Sequence, residues 1–493
     1  MRVYSPEWIS TANQRLRSGD SAVKASDGLS TFSVMWALAL IFSVISHFHT
    51  FTFRAGIGVG ILNYTVLIWC AALILQPRRL VLLVGLAATM AAQYVWRLPV
   101  ASNNQTIAFF MNLAIVAVAG VALLRNQPIE AARDEIYERL RIVARLLLAV
   151  MYFYGIFHKI NTDFLDPNAS CAVALYTKLT QAFGLGDSLI GRYGSIVSTF
   201  VVEGIAIYCL FKRQYFAIGL IIALVFHYII PISAYSWYMD FSSLVFALYA
   251  LSIPREVSIA FYQKGAKLLK RFPSSSAGGM AIIALTALLF VAVLTATGLR
   301  EQHGDLVISD KMMWHSAWIM IWAVVGGVIM VLLTIAALDA LPYRPQPALP
   351  IPRWIYAFPA VLFIACLSPY LGLKTESSIA MFSNLHTEGA ASNHLLIPHP
   401  PYVADYQRDV AMITGSSSPR MQTFANRELG MVRYHLERWI EQNPDKWVSF
   451  TMNGKHFERV STANYAVEPA NWLERKLLIF KPVDLSRPKV CTH

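Results

Sequence analysis

The sequence predicts a polytopic α-helical membrane protein of about eleven membrane segments, followed by a small C-terminal α+β soluble domain. Three observations predict it. Hydrophobic residues make up 56% of the 493 and charged residues only 14%, whereas a soluble domain carries about 25% charge; the mean hydropathy is +0.48. The apolar residues gather in stretches near the roughly 20 residues that cross a bilayer. Beyond residue 371 those stretches stop, and the chain continues as ordinary soluble sequence.

In chain order the membrane segments read as 31–48, 54–76, 80–99, 105–124, 140–158, 193–211, 215–234, 240–253, 279–299, 314–338 and 353–371. The eighth is short and reads as tilted, broken or re-entrant. Residues 160–192 are polar at first and then weakly apolar, as in a loop that dips back into the protein. The organisation that follows is an inner N-terminal segment 1–30, a membrane core 31–255, additional membrane helices 256–371 and a soluble domain 372–493. Within that domain, 424–442 reads as an amphipathic helix with ELGMVRYHLERWI as its body. Residues 447–460 read as a hairpin turning at Asn453-Gly454, and 401–413 and 476–483 as further strands.

Lys and Arg placement sets the orientation, because cytoplasmic loops carry the basic excess. With eleven spans and the N-terminus inside, the inner loops hold twenty Lys and Arg and the outer loops seven. The N-terminus is then cytoplasmic, and 372–493 lies on the periplasmic or lumenal side. The net charge of +12 is scattered rather than gathered in a patch, so nucleic acid is not an expected partner; membrane lipids are. The first 30 residues have no early apolar core, so the first membrane helix, rather than a cleavable signal peptide, is expected to direct insertion. The five cysteines have no metal-ligand spacing, and no metal is expected. Cys171 and Cys491 fall outside the membrane segments, on the side where a disulfide between them would persist.

Ionisable groups at membrane depth are costly and mark functional candidates. Glu203 lies near the centre of the sixth segment and His227 past the middle of the seventh, while Asp240 opens the eighth and Asp339 closes the tenth. His47, His49, Arg97, Asn103, Asn104, Lys159, Asp163 and Asp166 collect at outer ends, which points to a polar chamber opening outward. MYFYGIFHKINTDFLDP, residues 151–167, is the sharpest of these features: an aromatic helix ending abruptly in His158-Lys159. Two readings of Lys159 stand open. It is an interface anchor whose ammonium snorkels to water, or a desolvated lysine whose charged form burial disfavours, able to act as a general base. Glu203 and His227 likewise read as satisfied structural groups or as parts of a site. FSNLHTEGAASNHLLIP, 382–398, places His386, Glu388 and His394 just after the last apolar segment, as a connecting turn or as a lid.

Lys159-Ile160-Asn161-Thr162-Asp163-Phe164 resembles the motif of the vitamin K-dependent gamma-carboxylase family and its bacterial relatives, the HTTM-domain membrane proteins. In that motif a lysine closes a membrane helix and is followed by an apolar residue, an Asp or Asn, and an Asp-aromatic pair. Phe226-His227 and Ser236-Trp237-Tyr238-Met239 are similar to the family's His-containing helix and its aromatic-Met ending. The resemblance covers roughly residues 30–255. It departs at Gln105, where the family has a histidine, and at Met381-Phe382-Ser383-Asn384, which matches the family's Phe-Ser-Trp segment only in part.

The resemblance implies a membrane enzyme using a reduced quinone. A lysine, here Lys159, deprotonates the hydroquinone, and oxygen converts it to an epoxide through a strong base. That base removes a glutamate γ-proton, and CO2 adds. His158 and His227 would share protons, and Asn103, Asn104, Glu203, Trp237 and Met239 would line the quinone site. Gln105 cannot exchange a proton as imidazole does, which favours quinone chemistry without carboxylation. A secreted peptide or protein would be the substrate. The alternatives are a non-enzymatic maturation, export or immunity factor for a small secreted peptide, and a transporter. The sequence lacks the repeated halves and broken helix pairs that transporters often show.

Overall fold

The computed structural model describes residues 25–46, 57–124, 129–182, 184–232, 238–270, 308–343, 351–389 and 391–484. Among these, six helices are long and apolar enough to cross a membrane: Leu80–Arg97, Asn103–Leu124, Ala132–Phe157, Leu189–Phe211, Arg213–Ile232 and Met320–Asp339. A seventh results if Met239–Ser252 and Arg255–Gly265, bent by 116°, form one broken span. The expected count of eleven is therefore too high for the described residues; segment 279–299 lies outside them.

Segments 31–48 and 54–76 fall on the helices Ala25–Ser46 and Ile57–Leu75, of 22 and 19 residues. Segment 353–371 holds a shorter apolar helix, Arg353–Cys366, which at 1.5 Å per residue reaches at most about 25 Å, short of a hydrocarbon core of about 30 Å. Met239–Ser252 has a different explanation. All fourteen of its residues are buried, so its apolar composition answers to protein on every side. Hydropathy does not separate that case from burial in lipid.

The chain divides into two compact units. The first comprises Met1–Trp96, Ile107–Val150 and Gly204–Ala360. Its centre is Met239–Ser252, against which Ala25–Ser46 packs. Several side chains in this unit bury polar atoms in hydrogen bonds, which lowers the cost of a low-dielectric interior. The Trp36 indole donates to Asn112 Oδ1 at 3.0 Å, Arg133 donates to the Arg78 carbonyl and to Ser30 Oγ, and Glu138 accepts from Arg141 and Arg255. Along Met320–Asp339, Met320, Val324, Val331, Ile335 and Leu338 are exposed at helical spacing, while Trp322, Leu333, Ala336 and Ala337 are buried. An apolar stripe turned away from the protein is what a lipid-facing helix presents.

The second unit comprises Arg97–Thr106, Met151–Glu203 and Val361–His493. Its C-terminal part is an antiparallel five-stranded sheet of β1 Val410–Ser416, β2 Leu429–Val432, β3 Val448–Met452, β4 Lys455–Val460 and β5 Val483–Asp484, in the order β4-β3-β1-β2-β5. Ala411, Ile413, Met431, Leu436, Ile440 and Phe450 form its core with the flanking helices. The expected hairpin is present: Asn453 and Gly454 both have positive φ, 50° and 74°, as a type I′ turn demands.

The expected helix 424–442 is instead a helix Pro419–Asn426, strand β2 and a helix Arg433–Gln442. Leu429–Val432 is buried at every position and pairs with β1 on one side and β5 on the other. A central strand buried on both faces has no alternation to read. A Cβ on Gly430 would stand 2.9 Å from the Ala411 carbonyl oxygen, so this strand pairing depends on glycine. The other two expected strands are displaced: β1 begins only at Val410, and 476–483 holds the end of a short helix, Trp472–Leu477, before β5.

Candidate functional site

The helix Ile129–Phe157 unwinds through His158, whose N–H still bonds the Tyr154 carbonyl, and Lys159, whose N–H bonds the Ile156 carbonyl. The Lys159 side chain does not snorkel. It is 7% exposed, and its Nζ donates to Glu203 Oε1 at 2.5 Å; the Glu203 side chain is 9% exposed. The pair is net neutral whichever atom holds the proton, and neutrality is what makes burial of two ionisable groups tolerable. The Phe164 ring lies 5.8 Å beneath the ammonium, in cation–π contact. Glu203 Oε2 is buried and accepts no hydrogen bond. Gly155, one turn before Lys159, makes room for that carboxylate: a Cβ there would stand 3.0 Å from Oε2.

His158 is locked. Its Nε2 lies 3.1 Å from the Ser378 carbonyl, and its Nδ1 lies 2.8 Å from the Tyr370 hydroxyl. A carbonyl only accepts, so Nε2 carries the proton and Nδ1 accepts from Tyr370. Asn161 caps the turn Thr162–Leu165, accepting from Phe164 N–H, and donates to the carbonyls of His158 and Ser383 at 2.7 and 2.6 Å. Asn393 donates to Asp163 Oδ2 at 3.0 Å and to the Asn384 carbonyl at 2.8 Å. Thr162 N–H bonds the Asn393 carbonyl, and Leu395 N–H bonds the Ile160 carbonyl. His394 donates from Nε2 to the Phe157 carbonyl at 2.8 Å, and its Nδ1 accepts from the N–H groups of Leu396 and Ile397. Burial holds the His394 imidazole below its ordinary range, against the carbonyl of Phe157.

The segment after the last apolar helix therefore clasps the Lys159 turn from above. Its backbone is unusual. Ser377, Ile379, Phe382 and Asn384 all have φ between 53° and 58°, a region that costs an L-residue about 1–2 kcal/mol and that a β-branched residue such as isoleucine rarely enters. Hydrogen bonds hold it there. Ile379 N–H donates to Asn103 Oδ1 at 2.6 Å, Ser377 Oγ donates to the Ala101 carbonyl, and Asn384 bonds Cys171 N–H and the Ala169 carbonyl. Cys171 is disulfide-bonded, while Cys70, Cys209 and Cys366 are free thiols; Cys491, its expected partner, lies outside the described residues.

The second unit thus contains Lys159, His158, Glu203, Asn103 and Asn104. His227 and Met239 belong to the first unit, where both are buried and the His227 ring meets Phe241 edge to face. Trp237, His47 and His49 lie outside the described residues. Gln105 acts locally, its Oε1 accepting from Ser102 N–H at 3.1 Å as the N3 half of a capping box. Among the described residues no three His, Cys, Asp or Glu side chains are placed to hold a metal ion. Sequence reasoning missed Tyr370 and Ser378, which lie more than 200 positions from the histidine they hold. Gly155 did leave a signal, as a glycine inside an otherwise bulky aromatic helix. No family model matches the chain, nor does any curated protein or solved structure.

Proposed function

We propose that the chain is a membrane-embedded enzyme of the carboxylase-like kind, taking a reduced quinone from the bilayer, with Lys159 as base and its N-terminus on the cytoplasmic side. The basic inner loops support that orientation. The observation that carries the reading is the buried Lys159–Glu203 pair with an unpartnered acceptor, Glu203 Oε2. A buried acceptor without a donor is costly, and a phenolic hydroxyl is the donor a hydroquinone brings, so the residues present fit that group. Asn103 would turn its amide toward a quinone oxygen while its Oδ1 holds Ile379. When bound, the quinone supplies an oxidisable ring whose reaction with O2 drives proton abstraction, and CO2 is a further substrate where carboxylation follows.

The protein's own part is proton handling. Lys159 Nζ loses its proton to Glu203 Oε1 along the 2.5 Å contact and is then an amine able to take another. His158 positions the lysine turn through Tyr370 and Ser378 rather than exchanging protons itself. Lipid extracts of the purified protein should contain a quinone, and Lys159→Ala should abolish hydroquinone oxidation while insertion and elution stay as in the parent. Repeated absence of any quinone, or parental activity in Lys159→Ala, defeats the reading.

One observation favours the non-enzymatic alternative, a maturation, export or immunity factor for a small secreted peptide. Asn161 and Asp163, the polar centre of the motif, are engaged in holding residues 383–395. Co-purification of a short secreted peptide that is unmodified, together with a quinone-free extract, would select it.

A further inference from the structure

We propose that the second unit lays an apolar apron onto the lipid surface beside the candidate site, through Trp472, Leu473 and Leu477 at one span end and Leu395 and Leu396 at another. The helix Trp472–Leu477 is the first observation. It buries none of its residues, and its amphipathicity is inverted. Glu474 accepts from the Tyr406 hydroxyl at 2.7 Å and Arg475 donates to Glu441 at 2.7 Å, so polar side chains are tied to the domain. Trp472, 66% exposed, Leu473 and Leu477 face outward. A helix of a soluble domain does the reverse; a helix lying in a membrane interface turns its Trp and Leu outward in this way.

Its position is the second observation. Lys476 Nζ donates to the Leu98 carbonyl at 3.2 Å, and Leu98 directly follows the span Leu80–Arg97. Leu395 and Leu396, the latter 65% exposed, are fixed in the same manner. His394 bonds the carbonyl of Phe157, the last residue of the span Ala132–Phe157, and Leu395 N–H bonds the Ile160 carbonyl. Both apolar groups therefore stand within a few residues of a span end, the depth at which the bilayer meets water and where Trp is enriched. Residues 377–379 link the two: Ser377 and Ile379 bond Ala101 and Asn103, a few positions after Leu98, while the Ser378 carbonyl accepts from His158, which directly follows Phe157. Lipid is the occupant that this placement selects; a second copy or a peptide would not need both groups at the membrane boundary.

The test uses the full chain in lipid nanodiscs, with an environment-sensitive fluorophore on a single introduced cysteine at Leu473→Cys or Leu396→Cys. Lys455→Cys, exposed at the hairpin turn, is the control. Emission at 473 and 396 should be blue-shifted and quenched several-fold more strongly than at 455 by lipids carrying a nitroxide near the headgroup. Water-like emission at either position overturns the proposal. So does a blue shift without lipid quenching, which would mean that protein covers the patch. If a variant fails to elute as the parent does, Leu477→Cys or Leu395→Cys takes its place.

Discussion

Lys159 and Glu203 lie 44 positions apart in sequence and 2.5 Å apart in space, and each is the other's means of being buried. Removing one partner leaves an uncompensated charge. Lys159→Ala or Glu203→Ala alone should therefore lower unfolding stability by about 3–5 kcal/mol, whereas Lys159→Met combined with Glu203→Leu should recover most of it. Denaturant unfolding of the detergent-solubilised chain measures this, and unchanged midpoints in both single variants would contradict the pairing. His394 makes a pH prediction. Its folded imidazole titrates below the free value of about 6.5 because it is buried, so the unfolded chain binds the extra proton first. The stability it contributes is present above pH ~6.5 and is lost as pH falls through the lower folded value. The protection of the Leu396 and Ile397 amides, measured against their intrinsic exchange at each pH, should fall on acidification, and His394→Gln should flatten that dependence. At this scale the sequence disclosed which residues are unusual and little about their partners. Lys159 and Glu203 announced themselves by charge at membrane depth. Ser378 and Ser383 act through backbone carbonyls, and those carry no mark in the sequence.

The stretch 377–384 is the element whose conformation the sequence least betrays. Nothing in Ser-Ser-Ile-Ala-Met-Phe-Ser-Asn announces four left-handed residues; glycine would have. Its geometry is imposed by acceptors and donors on the turn beneath, and that dependence is testable. Asn161→Ala removes a helix cap worth about 1 kcal/mol and strips the Ser383 carbonyl of a buried donor, a loss of about 1–3 kcal/mol. Hydrogen exchange should rise across 378–397 and stay unchanged in β3 and β4. In the sheet, Gly430→Ala should destabilise the C-terminal domain by forcing β2 away from the Ala411 carbonyl oxygen; a thermal midpoint equal to the parent's would show that the strand yields freely. The Asn453-Gly454 hairpin was legible because turn chemistry is local. Strand β2 was not, because a four-residue apolar run becomes a strand only through its neighbours on both sides.

Across the whole molecule, composition was sufficient to identify a membrane protein, since that follows from how much apolar surface water can face. The span count was not legible. Helices such as Met239–Ser252 are apolar because protein surrounds them, and that environment exists only once the rest has folded. Sidedness therefore calls for a direct measurement: a membrane-impermeant thiol reagent applied to intact cells should modify Lys455→Cys if residues 372–493 face outward, and modification only after lysis would reverse the proposed orientation.

The long separation between the Lys159 turn and its cover has a consequence for how the protein is made. Asn161 and Ser383 are 222 residues apart, so at about 5–20 residues per second roughly 10–45 s of synthesis separate them. During that interval Lys159 and Glu203 can already meet, while His158 and Asn161 wait with their polar groups uncovered at the membrane surface. A ribosome stalled or truncated before residue 377 would leave a nascent chain with a half-built polar mouth, the kind of intermediate that membrane quality control recognises. The cover of the Lys159 turn is thus among the last parts of the chain to be made.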